Sequence, residues 1–122
     1  MKLQPDRFDG PSISAYGAGW VRVASEKITS SVVIGSDGQR LDWAGTDFDD
    51  LNLSHFTQLA QMNAELVILG SGQTIRFPHS ALLTPLMSKR IGLETMDTQA
   101  ACRTYNILAS EGRKVVVALL LG

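Results

Sequence analysis

Cysteine is nearly missing from this sequence. Cys102 is the only one, so neither a disulfide framework nor a cysteine-based zinc site can be built within one chain. That usage fits a reducing compartment. Histidine is scarce as well. His55 and His79 stand alone, and without carboxylates placed beside them they make no metal site, so no metal and no cofactor is expected. Long apolar runs are lacking. The strongest, Val115 to Leu121, is far too short to cross a bilayer, and no membrane insertion is expected. The opening Met1-Lys2-Leu3-Gln4-Pro5-Asp6 has neither a signal peptide's apolar core nor an Arg-rich, acid-poor targeting pattern. The expected address is cytoplasmic. An excess of one charge is missing too. Eleven basic residues meet 12 acidic ones, a net of −1, which gives no global field for DNA, RNA or an anionic membrane. Nucleic acid is therefore a disfavoured partner. The charge is uneven, with 5 basic and 8 acidic residues up to Asp50 and 6 basic and 4 acidic after it. So small an asymmetry reads as solvated surface. There is no internal repeat and no low-complexity segment.

What is present is an ordinary globular composition, 44% apolar and 19% charged over 122 residues, enough for one domain with a sizeable core. Residues 1–12 carry Pro5, Gly10 and Pro11 among charges and read as an extended lead-in to a domain over 13–122. Strands are predicted at 13–16, 20–23, 27–34 and 39–43, with Gly35-Ser36-Asp37-Gly38 as a hairpin turn. Gly45 to Asn52 is acidic and loop-like. Asp47, Asp49 and Asp50 lack the glycine and distant glutamate of an EF-hand loop, so they are read as charge ahead of a helix N-terminus. Ser54 is expected to cap a helix over 54–63.

The second half reads strand–helix–strand–helix–strand. Glu65 to Leu69 has the continuous apolar run of a strand buried on both faces. An edge strand is expected at 74–77 and a helix opening at Pro78-His79-Ser80. Pro85 either kinks that helix or starts a fresh one, and Lys89 and Arg90 suit its last turn. Leu93 to Met96 is the next strand. Thr98 is expected to cap a helix running to Ser110, with Ala101, Cys102, Tyr105, Leu108 and Ala109 on its buried stripe and Gly112 as its stop. Lys114 to Leu121 closes the sheet. Right-handed crossovers then place helices over both faces of a mostly parallel sheet.

Chemistry could sit where two strands end. If 65–69 and 93–96 are parallel neighbours, Gly70-Ser71-Gly72 comes beside Asp97-Thr98, at the edge where open α/β sheets bind ligands. Exposed backbone N–H groups there could hold an anion. Gly-Ser-Gly is not a dinucleotide fingerprint or a P-loop, and a tight turn needing small residues, with Thr98 as a mere cap, is the favoured reading over a ligand site. A nucleophilic Ser71 would need a base, and only His79 is near in sequence. Tyr105, polar on an apolar stripe, is expected to find a partner as a buried anchor. It is carried with Gly70, Ser71, Gly72, Asp97 and Thr98 as a ligand-site candidate. Cys102 reads as a small core residue. No catalytic residue is assigned.

Val67-Ile68-Leu69-Gly70-Ser71-Gly72, Glu94-Thr95-Met96-Asp97-Thr98, Ala101, Thr104-Tyr105-Asn106-Ile107-Leu108 and Glu111-Gly112-Arg113-Lys114-Val115 together carry a resemblance. The chain resembles the small single-domain family of unknown function that includes mitochondrial complex I assembly factor 3 and the adipogenesis-associated single-domain protein. It departs at Ser71, where many relatives have Thr, and at Ser80, where a helix-opening proline is common. The resemblance implies a three-layer α/β domain: a mixed central sheet, flanking helices and an added β-hairpin. It implies no catalytic residue. Two functions follow as expectations. One is a non-enzymatic binding or assembly-helper module whose partner is another protein. The other is a small-molecule or anion site at Gly70–Gly72 and Asp97–Thr98. Oligomeric state is left open.

Overall fold

A five-stranded mixed sheet divides the molecule, with apolar layers on both faces. The structure, a computed structural model, describes residues 10–121; most of the expected lead-in, residues 1–9, lies outside the described residues. The large sheet is built from β4 (Val32–Gly35), β5 (Arg40–Asp42), β6 (Leu66–Gly70), β7 (Gly92–Met96) and β8 (Val115–Leu119), in the order β5-β4-β8-β6-β7. The β6 strand runs parallel to both β7 and β8, whereas β4 is antiparallel to β5 and β8. The central strands β4 and β8 are buried along their whole length, because each face is covered. One face holds Val33, Val67, Leu69, Val116 and Ala118 against α1 (Leu53–Ala60) and α2 (Thr84–Ser88). The other holds Val32, Ile34, Ile68, Val117 and Leu119 against α3 (Thr98–Ser110) and a second sheet. This is the expected three-layer α/β arrangement.

The second sheet is β1 (Ile13–Gly17), β2 (Trp20–Val23) and β3 (Glu26–Ile28), an antiparallel meander. Here the sequence reading needs correcting. The expected single strand over 27–34 is two strands in two sheets. The break falls at Ser31, which is buried and hydrogen-bonded on both sides: its Oγ donates to Thr46 O at 2.8 Å and accepts from Leu121 N–H at 2.9 Å. β-Branched residues on either side favour extension in both pieces. The change of sheet is made by long-range bonds that local propensity does not register.

Other boundaries moved for equally specific reasons. Asn52, not Ser54, caps α1, accepting from Ser54 N–H at 2.9 Å while its own N–H donates to His55 Nδ1 at 3.0 Å. Asp97, not Thr98, caps α3 through Ala100 N–H at 2.9 Å. Any of these residue types can cap, so composition alone leaves the register open. The α1 helix stops short of 63, with Asn63 in the left-handed region at φ 60°. Residues 74–77 form no strand. Ser80–Leu83 make a 3₁₀ turn, and Pro85 sits in the first turn of α2, so proline begins a fresh helix instead of kinking one. Lys89 and Arg90 lie just past α2, and Lys89 Nζ reaches Ala60 O at the end of α1, 3.3 Å away. The stop of α3 is as expected. Gly112 adopts φ 85°, with Gly112 N–H bonded to Ala109 O and Arg113 N–H to Leu108 O, the double closure of a Schellman motif. Ala101, Cys102, Tyr105 and Ala109 are buried as expected, Leu108 only partly.

Candidate functional site at the strand ends

The connection leaving β6 passes over the α1 and α2 face, and the connection leaving β7 passes over the opposite face as α3. Neighbouring strands whose connections diverge open a crevice at their C-terminal ends. The predicted juxtaposition is present. Ser71 N–H donates to Met96 O at 2.9 Å, Thr98 N–H to Gly72 O at 2.8 Å, and Gly72 N–H to Thr98 Oγ1 at 2.9 Å. Thr98 Oγ1 in turn donates to Leu120 O at 2.9 Å. One hydroxyl thus ties together the ends of β6, β8 and α3, and Thr98 is buried. At Gly70 a Cβ would lie 3.0 Å from Ala101 Cβ and 3.0 Å from Thr98 Cα. Glycine is needed there because α3 starts directly against the strand.

These bonds seal the gap between β6 and β7 and move the open space toward β8. A cavity of about 360 Å³ is lined by Gly17, Ala18 and Gly19 at the β1–β2 tip, by Gly72 and Gln73, by Asp97, Thr98 and Gln99, and by Leu120 and Leu121. Beyond Gly72 and Gln73, a hollow of about 310 Å³ is bounded by Asp47, Phe48 and Asp49 on one side and Ser71, Thr74 and Arg76 on the other. Arg76 closes its outer wall. Its guanidinium meets Asp49 Oδ1 at 2.7 Å and stacks 4.3 Å from the centre of the Phe48 ring.

Of the six candidate residues, Gly72, Asp97 and Thr98 line the cavity and Ser71 lines the hollow. Gly70 is packed under α3. Tyr105 borders neither space; its hydroxyl donates to Pro11 O at 2.5 Å, and burial pushes its phenol up. Asn106 beside it accepts from Ile13 N–H and donates to Ile13 O, at 2.9 and 2.8 Å. Together they clasp the start of β1 onto α3, which is the expected anchoring role for Tyr105. Ser71 Oγ donates to Thr74 O at 2.8 Å and accepts from Arg76 N–H at 2.9 Å. That backbone turn is also why 74–77 cannot extend as a strand. His79 Nδ1 accepts from Ala81 N–H at the start of the 3₁₀ turn, so Ser71 and His79 are each engaged elsewhere. Burial pushes the Cys102 thiol up to about 12, far from a nucleophile's range. Sequence reasoning missed the Gly17–Gly19 tip, Gln73, Gln99, Leu120 and Leu121. The tip's only local signal is a turn, Gln99 and Leu120–Leu121 carry only helix and strand signals, and the packing of the small sheet on α3 brings them together.

Among the described residues no helix is long and apolar enough to cross a membrane. Comparison with known proteins agrees with the resemblance. An uncharacterised protein of Rhodobacter capsulatus is 34% identical over 108 residues, covering 88% of this chain and 82% of that one. The Xenopus tropicalis NADH dehydrogenase [ubiquinone] 1 alpha subcomplex assembly factor 3 is 28% identical over 121 residues, 98% of this chain. The match spans 66% of that factor and 47% of its zebrafish counterpart. A crystal structure of a Bordetella parapertussis protein superposes with a TM-score of 0.86 at 34% identity, covering 93% of this chain and 97% of that one. The model of the family described as protein of unknown function (DUF498/DUF598) matches residues 13–120. With nearly the whole described chain inside that match, this protein belongs to the DUF498/DUF598 family.

Proposed function

We propose that this chain is a non-enzymatic binding or assembly-helper module, acting in the cytoplasm on another protein. The observation that carries the reading is its likeness to assembly factor 3 along almost its full length. A surface suited to a partner supports it. Ile75 and Phe77 flank Arg76 and are 51% and 71% exposed, and Leu53 is half exposed. The Arg76–Asp49 pair holds the loop carrying Ile75 and Phe77 against the segment leading into α1. Ile75 and Phe77, two large apolar side chains left exposed on one short loop, fit a contact surface. The test is affinity capture after cross-linking in the protein's own cells, comparing wild type with an Ile75→Glu/Phe77→Glu variant of unchanged circular dichroism. A specific protein captured by wild type and lost in the variant is the expected result.

The cavity beside Asp97 and Thr98 supports a second reading, a small-molecule site. Native mass spectrometry of gently isolated protein separates the two. A bound species of small mass, displaced in a Gln99→Trp variant, together with no captured protein, would overturn the first reading in favour of this one. Gln99 is preferable to Gly72 for filling the cavity, because Gly72 has φ 111° and any side chain there is strained.

A further inference from the structure

We propose that the crevice across the strand ends receives an extended, arginine- or lysine-bearing segment of a protein partner. This rests on the protein-binding reading and names the chemistry of its contact. The cavity and the hollow share Gly72, Gln73, Leu120 and Leu121 in their walls. They adjoin across these residues, one bay reaching the β1–β2 tip and the other the Phe48–Arg76 corner. An occupant that fills both must be extended rather than compact.

The lining is acidic. Asp97 stands in one bay and Asp47 and Asp49 in the other, against a single cation, Arg76. Arg76 is engaged by Asp49 and Phe48. Among the described residues no cation forms an ion pair with Asp47 or Asp97, and the Arg103 guanidinium on α3 is near enough to Asp97 for the two charges to interact. An anion is poorly served here. Thr98 N–H and Gly72 N–H are consumed by each other's residue, and Ala100 N–H by the Asp97 carboxylate. The donors that would make a helix start attractive to a phosphate or carboxylate are spent, with a negative charge beside them. Gln73 and Gln99 carry side-chain amides that can both give and accept hydrogen bonds from a peptide backbone. Apolar Leu120 and Leu121 form a floor for the stems of long basic side chains.

The full-length ¹⁵N-labelled chain is titrated with a short capped peptide alternating arginine and alanine, and with its glutamate–alanine counterpart. The expected result is amide shifts at Gly19, Gly72, Gln73 and Gln99 with the arginine peptide alone. An Asp47→Asn/Asp97→Asn variant, which keeps a capping side chain at 97, should bind about fivefold more weakly. Equal binding of the glutamate peptide, shifts confined to other surfaces, or unchanged affinity in the variant would each overturn the proposal. Concentration-dependent self-association abolished by the same two substitutions would also overturn it, since the occupant would be a second copy. Failure here is distinguishable from failure of the wider reading. A cellular partner lost on Ile75→Glu/Phe77→Glu but retained by the double asparagine variant leaves protein binding intact and removes only the crevice.

Discussion

Thr98 and Gly72 hold each other: Thr98 N–H donates to Gly72 O at 2.8 Å, and Gly72 N–H donates to Thr98 Oγ1 at 2.9 Å. Because the same hydroxyl also donates to Leu120 O, a single side chain fixes the geometry of three strand and helix ends around the crevice. Thr98→Val keeps the shape and removes the hydroxyl, stranding a partly buried N–H and a buried carbonyl. The expected loss is about 2 kcal/mol, read as a lower urea midpoint with unchanged slope. Thr98→Ser should recover most of it, and a loss in Thr98→Ser with none in Thr98→Val would mean that the methyl group, not the hydroxyl, matters.

Gly70 tests the same junction from the strand side. An alanine there would put Cβ 3.0 Å from both Ala101 Cβ and Thr98 Cα. A helix start cannot give way as a flexible side chain does, so Gly70→Ala should cost about 1–3 kcal/mol. It should also raise amide exchange in the first turn of α3. A thermal midpoint equal to wild type would show that the approach is looser than described.

The β2–β3 hairpin turns through Ala24 and Ser25, at φ 48° and 72°. Two consecutive positive φ values are what a primed hairpin turn requires, and asparagine and glycine satisfy them with the least strain. An Ala24→Asn/Ser25→Gly variant should therefore gain about 0.5–1 kcal/mol. Differential scanning calorimetry would read it as a higher midpoint. A lower one would mean that the present side chains contribute contacts outweighing the strain.

His55 makes stability depend on pH. Its Nδ1 accepts the Asn52 N–H at 3.0 Å, and its ring meets Trp43 edge-on at 4.8 Å between centroids. Burial, partly offset by Asp50, holds its pKa below the ordinary 6.5. The unfolded chain therefore binds more protons in this window than the folded one, and stability rises with pH there. The contribution is complete above pH 6.5 and is lost as pH falls through the lower folded value. Urea midpoints measured over that range should decline on the acid side, and His55→Gln should flatten the decline. An NMR titration placing His55 at or above 6.5 would contradict the bond's role.

Local sequence determined much of this protein. The apolar run around Leu66–Leu69 made a doubly buried strand, because nothing polar interrupts it. The spacing of Ala101, Cys102, Tyr105 and Ala109 made the inner face of α3, and Gly112 ended it, since these features act within a few residues of one another. Alternating strand and helix then forced Gly70–Gly72 beside Asp97–Thr98 through parallel pairing of β6 and β7. Tertiary structure alone decided the rest. Ser31 splits one β-rich stretch between two sheets because its partners, Thr46 and Leu121, are 15 and 90 residues away. The Gly17–Gly19 tip faces Gln99 only because the small sheet packs on α3. The sequence places donors and carboxylates near the strand ends. Whether they remain open to a ligand depends on which hydrogen bonds the fold has already spent, and those bonds join residues far apart in the chain.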